Sequence, residues 1–314
     1  MCTAVRFSDG RGEAFFGRNL DWSSGYGQGV VVTPRGYRYQ SAFLGEMGAR
    51  AGAVIGMAVK AQGVPLYFDC ANEAGLYVAG LNFPGYAKYA AEAVPGKMNV
   101  AAYEFPLVIA LNFATVEEVK AALEGAAIVG RAFDKQYPVS ELHFMIGDRE
   151  RSIVVEYTER GMEIFENPVD VLTNQPGYAW HRENLRNYLN VAPAGSEEVK
   201  WGEAKLSAVG TGATMRGLPG DYYPSSRSVR AAYLNTHYPL KQGEDENVLR
   251  LFHTLAGVAM VDGAAAMSDG TFEKTIYTGG YSTATQTYYY STYENPTIFR
   301  VALPTINLEG TELI

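Results

Sequence analysis

Met1-Cys2-Thr3-Ala4-Val5-Arg6-Phe7-Ser8 runs through Gly10-Arg11-Gly12 into Ala14-Phe15-Phe16-Gly17-Arg18-Asn19-Leu20-Asp21-Trp22. Thr3, Val5 and Phe7 alternate with Ala4, Arg6 and Ser8, the period of a strand, and the glycines turn the chain into a second apolar run. This pattern predicts a β-hairpin, so the chain begins inside a sheet. Further strands are predicted at 29–33, 53–59, 65–68, 76–81, 142–146, 152–158, 162–165 and 169–173, and the segment 275–302 returns to Thr/Tyr-rich strand composition. Short turns between them point to antiparallel meanders. Helices are fewer. Thr115 with Glu118 forms a capping box for a helix ending near Gly125; others are predicted at 178–189 and 247–261, the latter from Val248, Leu251, Leu255 and Val258 at helical spacing. Strands grouped together with helices set apart predict an α+β layer fold. No repeat or linker divides the chain, so residues 1–314 read as one domain.

The 314 residues are 47% apolar and 19% charged, with 22 Tyr, 14 Phe and 34 Gly, the composition of a strand-rich globular chain. With 26 Lys+Arg against 34 Asp+Glu the formal charge is −8, the wrong sign for a protein that binds by neutralising phosphates or anionic lipid. Nucleic acid and membrane are therefore not expected partners. Apolar runs such as 53–59 fall far short of the roughly 20 residues of a membrane span. No basic start followed by an apolar stretch opens the chain, so the expected location is the cytoplasm. Cys2 and Cys70 are the two cysteines, too few for a disulfide framework or a four-thiolate zinc site.

The familiar motifs lead nowhere. His143, His181, His237 and His253 have no partner at metal-ligand spacing, and no metal or cofactor is expected. Gly25-Tyr26-Gly27-Gln28-Gly29 matches no dinucleotide fingerprint. Gly280-Tyr281-Ser282-Thr283-Ala284 lacks the final glycine of a nucleophile elbow and has no histidine after it.

Cys2 carries the chemistry. Removal of Met1 would leave a thiol and a free α-amine on one residue. With ordinary pKa values of about 8.5 and about 7.7–8.0, proton transfer between them costs under roughly 1 kcal/mol, so no histidine is required as base. A hairpin of the length read above returns Arg18 and Asp21 to the vicinity of residue 2, placing a cation and an anion about the nucleophile. Cys70, in Phe68-Asp69-Cys70-Ala71, reads as a buried small hydrophobe.

These residues occur with Ala79-Gly80-Leu81-Asn82-Phe83-Pro84-Gly85-Tyr86, Leu172-Thr173-Asn174-Gln175-Pro176 and Gly217-Leu218-Pro219-Gly220-Asp221 leading to Ser226-Arg227. In order and spacing over essentially the whole chain, the set resembles the choloylglycine hydrolases, the bile salt hydrolase and penicillin V acylase branch of the N-terminal nucleophile hydrolases. The resemblance implies a four-layer αββα sandwich of two antiparallel sheets and cleavage of a non-peptide amide C–N bond. It implies Cys2 as nucleophile with its own α-amine as proton carrier, and Arg18 beside the thiolate. Asp21 would hold the α-amine, Asn82 and Asn174 would supply amide donors near the amine and the oxyanion, and Arg227 would be a second cation. Ser228 and Tyr222-Tyr223-Pro224 depart from the family's usual pattern around Arg227, with Arg230 as the fallback. The Asn82 block is more similar to the bile salt side than to penicillin acylases carrying tyrosine there.

The expected substrate is a conjugated bile salt, whose steroid needs an apolar pocket; Leu20, Phe133 and Tyr137 are the candidates to line it. The resemblance also implies a homotetramer. Hydrolysis of penicillin V or another N-acyl amine is the alternative within the class, and a non-catalytic binding protein of the same fold is the alternative outside it. Each motif also has an ordinary alternative: a strand end and turn at 82–85, a loop at 173–176, a surface ion pair for Arg18 and Asp21.

Overall fold

The opening hairpin forms in a computed structural model that describes residues 1–314. Strand β1 (Cys2–Ser8) pairs antiparallel with β2 (Ala14–Trp22), Cys2 opposite Leu20 and Ala4 opposite Arg18. The remaining strands of the two main sheets are β3 (Gly29–Thr33), β4 (Val54–Ala61), β5 (Val64–Asn72), β6 (Tyr77–Asn82), β7 (Leu142–Gly147), β8 (Ser152–Thr158), β9 (Gly161–Glu166), β10 (Val171–Leu172), β11 (Phe272–Ser282), β12 (Thr287–Thr292) and β13 (Phe299–Ala302). One sheet runs β10-β1-β2-β11-β12-β13 and the other β9-β8-β7-β6-β5-β4-β3, with every neighbour antiparallel.

Both faces of the hairpin are covered. Ala4 and Phe16 point to the second sheet, where they join a core with Ile55, Ala79 and Val154. Val5, Phe7 and Phe15 point the other way, against helices α4 (Pro224–His237) and α5 (Glu244–Ala256). The far face of the second sheet packs on α1 (Phe105–Asn112) and α2 (Val116–Leu123). The order of layers is thus αββα, the four-layer sandwich expected. No helix is long and apolar enough to cross a membrane.

Thr115 caps α2, its hydroxyl accepting from Glu118 N at 3.2 Å. Glu118 reaches back to Ala114 N at 2.7 Å, one residue earlier than a capping box requires. Helix α1 escapes sequence reading because it is apolar on every side and buried from Phe105 to Leu111, so it shows no amphipathic period. Helix α4, which Pro224 starts, lies outside the helices expected from the sequence. The strand expected at 169–173 shrinks to two residues because Asp170 adopts φ 53°, a turn conformation. The helix expected at 178–189 is α3 (Tyr178–Asn184) followed by a 3-10 turn at Leu185–Tyr188, and α5 stops at Gly257 instead of running to 261. A short parallel pair, Met98–Ala101 with Ala126–Val129, lies outside the strands expected from the sequence.

Gly17 and Gly280 face each other across β2 and β11 beneath Leu251 of α5. A Cβ at Gly280 would lie 2.4 Å from Leu251 Cδ2 and 2.5 Å from Phe16 O. Gly280→Ala is expected to destabilise the fold by about 1–3 kcal/mol, read as a lower urea midpoint at unchanged slope; an unchanged midpoint would contradict this packing.

Candidate active site

Cys2, Arg18 and Leu20 lie on the face of the hairpin turned toward the second sheet. Arg18 has no solvent exposure. Its Nη2 lies 2.7 Å from Cys2 Sγ, and its Nη1 donates to the carbonyls of Phe68 (3.1 Å) and Gly80 (2.8 Å) on strands β5 and β6. Burial pulls this guanidinium down, but Cys2, Tyr277, Asp69 and Tyr77 face it and hold it, on balance, above the ordinary arginine range. A guanidinium at this distance can act as counter-charge to a thiolate.

The nitrogen of Cys2 is served from elsewhere. Cys2 N donates to Asn174 Oδ1 at 2.8 Å, and the same oxygen accepts from Arg227 Nη2 at 2.7 Å. Arg227, in the first turn of α4 and fully buried, also donates to Cys2 O (2.5 Å) and Thr3 Oγ1 (2.8 Å). Burial pulls its guanidinium down, against Asp21 and Cys2. Asp21 accepts from Thr275 Oγ1 at 2.6 Å through Oδ1; its Oδ2 is buried without a hydrogen bond, 3.9 Å from Arg227 Nη1. Burial raises its carboxyl, opposed by Arg227 and the amino terminus. Met1 precedes this cluster, with its amine on Asp21 O and Glu273 Oε1, both at 2.6 Å.

A cavity of about 530 Å³ opens onto Cys2, Arg18, Asp21 and Asn82, within the range of small-molecule sites. Leu20 and Tyr137 line it. Phe133 does not; it packs edge-on against Tyr103 (5.2 Å between centroids) and near Tyr137 (6.2 Å), supporting the two rings that do. Asn174 also differs from expectation. It offers Cys2 N an acceptor, and its Nδ2 donates to Asn82 O at 2.7 Å, which leaves the Asn82 side chain as the amide bordering the cavity. Arg230 is no substitute for Arg227: it bonds the carbonyls of Gly257, Pro219 and Asp221. Cys70 is fully buried and burial raises its thiol, so it is inert.

Sequence reasoning missed most of the apolar wall. Trp22, Tyr26 and Phe68 follow one another beside Leu20, the first pair stacked at 6.5 Å and the second tilted at 5.4 Å between centroids. Trp22 continues strand β2, so the alternation already in use could have found it; Tyr26 and Phe68 carry no such signal.

The sequence pattern of the linear amide C–N hydrolases, choloylglycine hydrolase family, matches residues 2–314. A bile salt hydrolase/transferase of Bifidobacterium longum subsp. longum is 52% identical over 314 residues, 100% of this chain and 99% of its own. A conjugated bile acid hydrolase of Lactobacillus gasseri is 43% identical over 92% of each chain. Among solved structures, the C2A mutant of the conjugated bile acid hydrolase from Clostridium perfringens superposes with a TM-score of 0.93 at 36% identity, over 100% of this chain and 96% of that one. Penicillin V acylase from Agrobacterium tumefaciens shares the fold, with a TM-score of 0.78 at 19% identity over 99% and 90%.

Removing the cation beside the sulfur, as Arg18→Gln, is expected to slow alkylation of Cys2 by iodoacetamide at pH 7 by about tenfold or more. Intact mass against time measures it, and an unchanged rate would remove Arg18 from the account of the sulfur.

Proposed function

The chain belongs to the choloylglycine hydrolase family of linear amide C–N hydrolases, and from that premise we propose that it hydrolyses glycine- and taurine-conjugated bile salts with Cys2 as nucleophile. The observation that carries this reading is the placing of both reactive atoms of one residue. Sulfur lies against Arg18 and nitrogen against Asn174, at the end of an aromatic-walled cavity sized for a steroid acyl group. A binding protein would need neither arrangement.

Loss of Met1 turns Cys2 N into a primary amine that keeps Asn174 Oδ1 as one acceptor. Asp21 Oδ2, buried and without a donor, is the carboxylate that receives the amine once it is charged. The amine takes the Sγ proton and the thiolate attacks the substrate carbonyl carbon. A C–S bond forms, and the carbonyl π pair moves onto oxygen, where the Asn82 side-chain amide donates; losing one such donor typically costs about 10²–10³ in rate. Collapse breaks the C–N bond, and the ammonium returns its proton to the departing nitrogen, freeing glycine or taurine. Water then attacks the thioester with the same amine as base. The second collapse releases the bile acid and restores the thiol.

A homotetramer is part of the proposal. Its support is the hairpin Val199–Trp201 with Ala204–Leu206, in which every residue is exposed, Trp201 by 76%. So large an exposed ring on a two-stranded arm suits an interface between copies. Two unpaired thiols support the cytoplasm as the location.

Intact mass of active protein is expected to lack Met1, and Cys2→Ala or Cys2→Ser to lose about 10³-fold or more in kcat at an unchanged melting temperature; full activity in either variant sinks the assigned nucleophile. Rates measured side by side on glycocholate, taurocholate and penicillin V decide the acyl group, the bile-salt reading requiring that the first two exceed the third. Trp201→Asp is expected to lower the sedimentation-derived mass below four chains; an unchanged tetramer would acquit the arm.

A further inference from the structure

None of the four histidines enters the chemistry above, yet two are buried in the framework that carries Asn174. Asn174 lies two residues past strand β10, after Thr173, whose hydroxyl donates to Pro224 O at 3.1 Å, and its side chain must keep Oδ1 on Cys2 N. His143, on β7, has Nε2 2.9 Å from Thr173 O; His181, on α3, has Nε2 2.9 Å from Asn174 O. A carbonyl only accepts, so each of these nitrogens carries the proton. Successive backbone carbonyls about Asn174 are thus gripped by two imidazoles from different layers of the fold.

Glu156 ties the grips together. Its Oε1 lies 3.1 Å from His143 Nδ1 and accepts from Tyr178 N at 2.8 Å, and Tyr178 begins the helix that presents His181. The loop passes so close to this carboxylate that a Cβ at Gly177 would come within 3.1 Å of Glu156 Oε2. Phe83, the residue after Asn82, stacks flat on His143 at 4.2 Å between centroids and 10° between planes. The same imidazole therefore bonds the carbonyl that precedes Asn174 and stacks on the side chain that follows Asn82. His181 makes its bond at the expense of Nδ1, which is buried with no partner. Burial pulls this ring down to about 4, so at neutral pH it holds a single proton, the one on Nε2.

We propose that His143 and His181 are positioning residues, a clamp on the Thr173 and Asn174 carbonyls that aims the Asn174 side chain at the nitrogen of Cys2 and so sets the geometry of proton exchange between sulfur and amine. The proposal rests on the role given to Cys2 and deepens it. A misplacement of about 1 Å at such a relay is enough to cost up to about 10² in rate without any loss of substrate contacts.

Paired substitutions test it. Glutamine carries an amide N–H at about the reach of imidazole Nε2, whereas asparagine ends near Nδ1, short of the carbonyl. His181→Asn is expected to lower kcat for glycocholate by about tenfold or more with KM within about threefold, and to slow iodoacetamide alkylation of Cys2; His181→Gln is expected to stay within about threefold of the parent in both. The same pair at His143 is expected to behave alike, which keeps the test alive if one asparagine variant does not fold. Asparagine and glutamine variants of equal activity, a loss confined to KM, or losses that follow the melting temperature in all four would overturn the clamp. Should the parent enzyme not turn over glycocholate, the bile-salt reading falls by itself, and the alkylation rates still judge the clamp.

Discussion

A guanidinium sealed between two apolar sheets is the constraint on which the arrangement depends. An unpaired buried cation is costly, so Arg18 must be surrounded by acceptors before it can serve the sulfur. Carbonyls from Phe68 and Gly80 take one end of its fork, and Cys2 takes the other. Asp69 stands in the same layer, bridged by the hydroxyls of Tyr277 (2.6 Å) and Tyr288 (2.7 Å), and the Tyr277 ring faces the guanidinium at 5.8 Å. Burial raises the Asp69 carboxyl, while Arg18 and the tyrosines oppose it. The register of the first hairpin follows from this: a slip of one residue would turn Arg18 away from the second sheet and strand the sulfur.

The two ends of Cys2 are served by different partners. Sulfur meets Arg18 in the layer between the sheets, and nitrogen meets Asn174, whose oxygen is shared with Arg227 of helix α4, beside Asp21 and Thr275. The two buried arginines therefore live in different electrostatic surroundings. Arg18 is held up by the groups around it, whereas for Arg227 burial outweighs the pull of Asp21. Arg227 acts less as a bare charge than as a bracket, reaching Cys2 O, Thr3 and Asn174 with one planar fork.

What was legible in the amino-acid string follows from periodicity. The hairpin, the meanders and α5 show themselves because their faces differ or their turns are marked. Helix α1, Phe-Pro-Leu-Val-Ile-Ala-Leu-Asn, has no polar face to reveal it, and α4 presents Arg227 inward where a polar residue suggests solvent. Cys2, Arg18, Asp21, Asn82, Asn174 and Arg227 were nameable through motif blocks, and the structure gathers them in one cluster. Their individual duties were not: that Asn174 accepts from the Cys2 nitrogen, or that Phe133 stands behind Tyr103, is decided by side-chain directions across elements far apart in the chain. The histidine pair was invisible for the same reason, since 30 residues separate His143 from the carbonyl it holds.

The three tryptophans are distributed so that each samples a different environment. Trp22 borders the cavity beside the nucleophile, Trp180 is half exposed on α3, and Trp201 stands almost free on its hairpin. Indole emission shifts to shorter wavelength as water is excluded. The molecule thus carries native optical reporters, one for occupancy of its pocket and one for whatever comes to cover its arm, readable without attaching a dye.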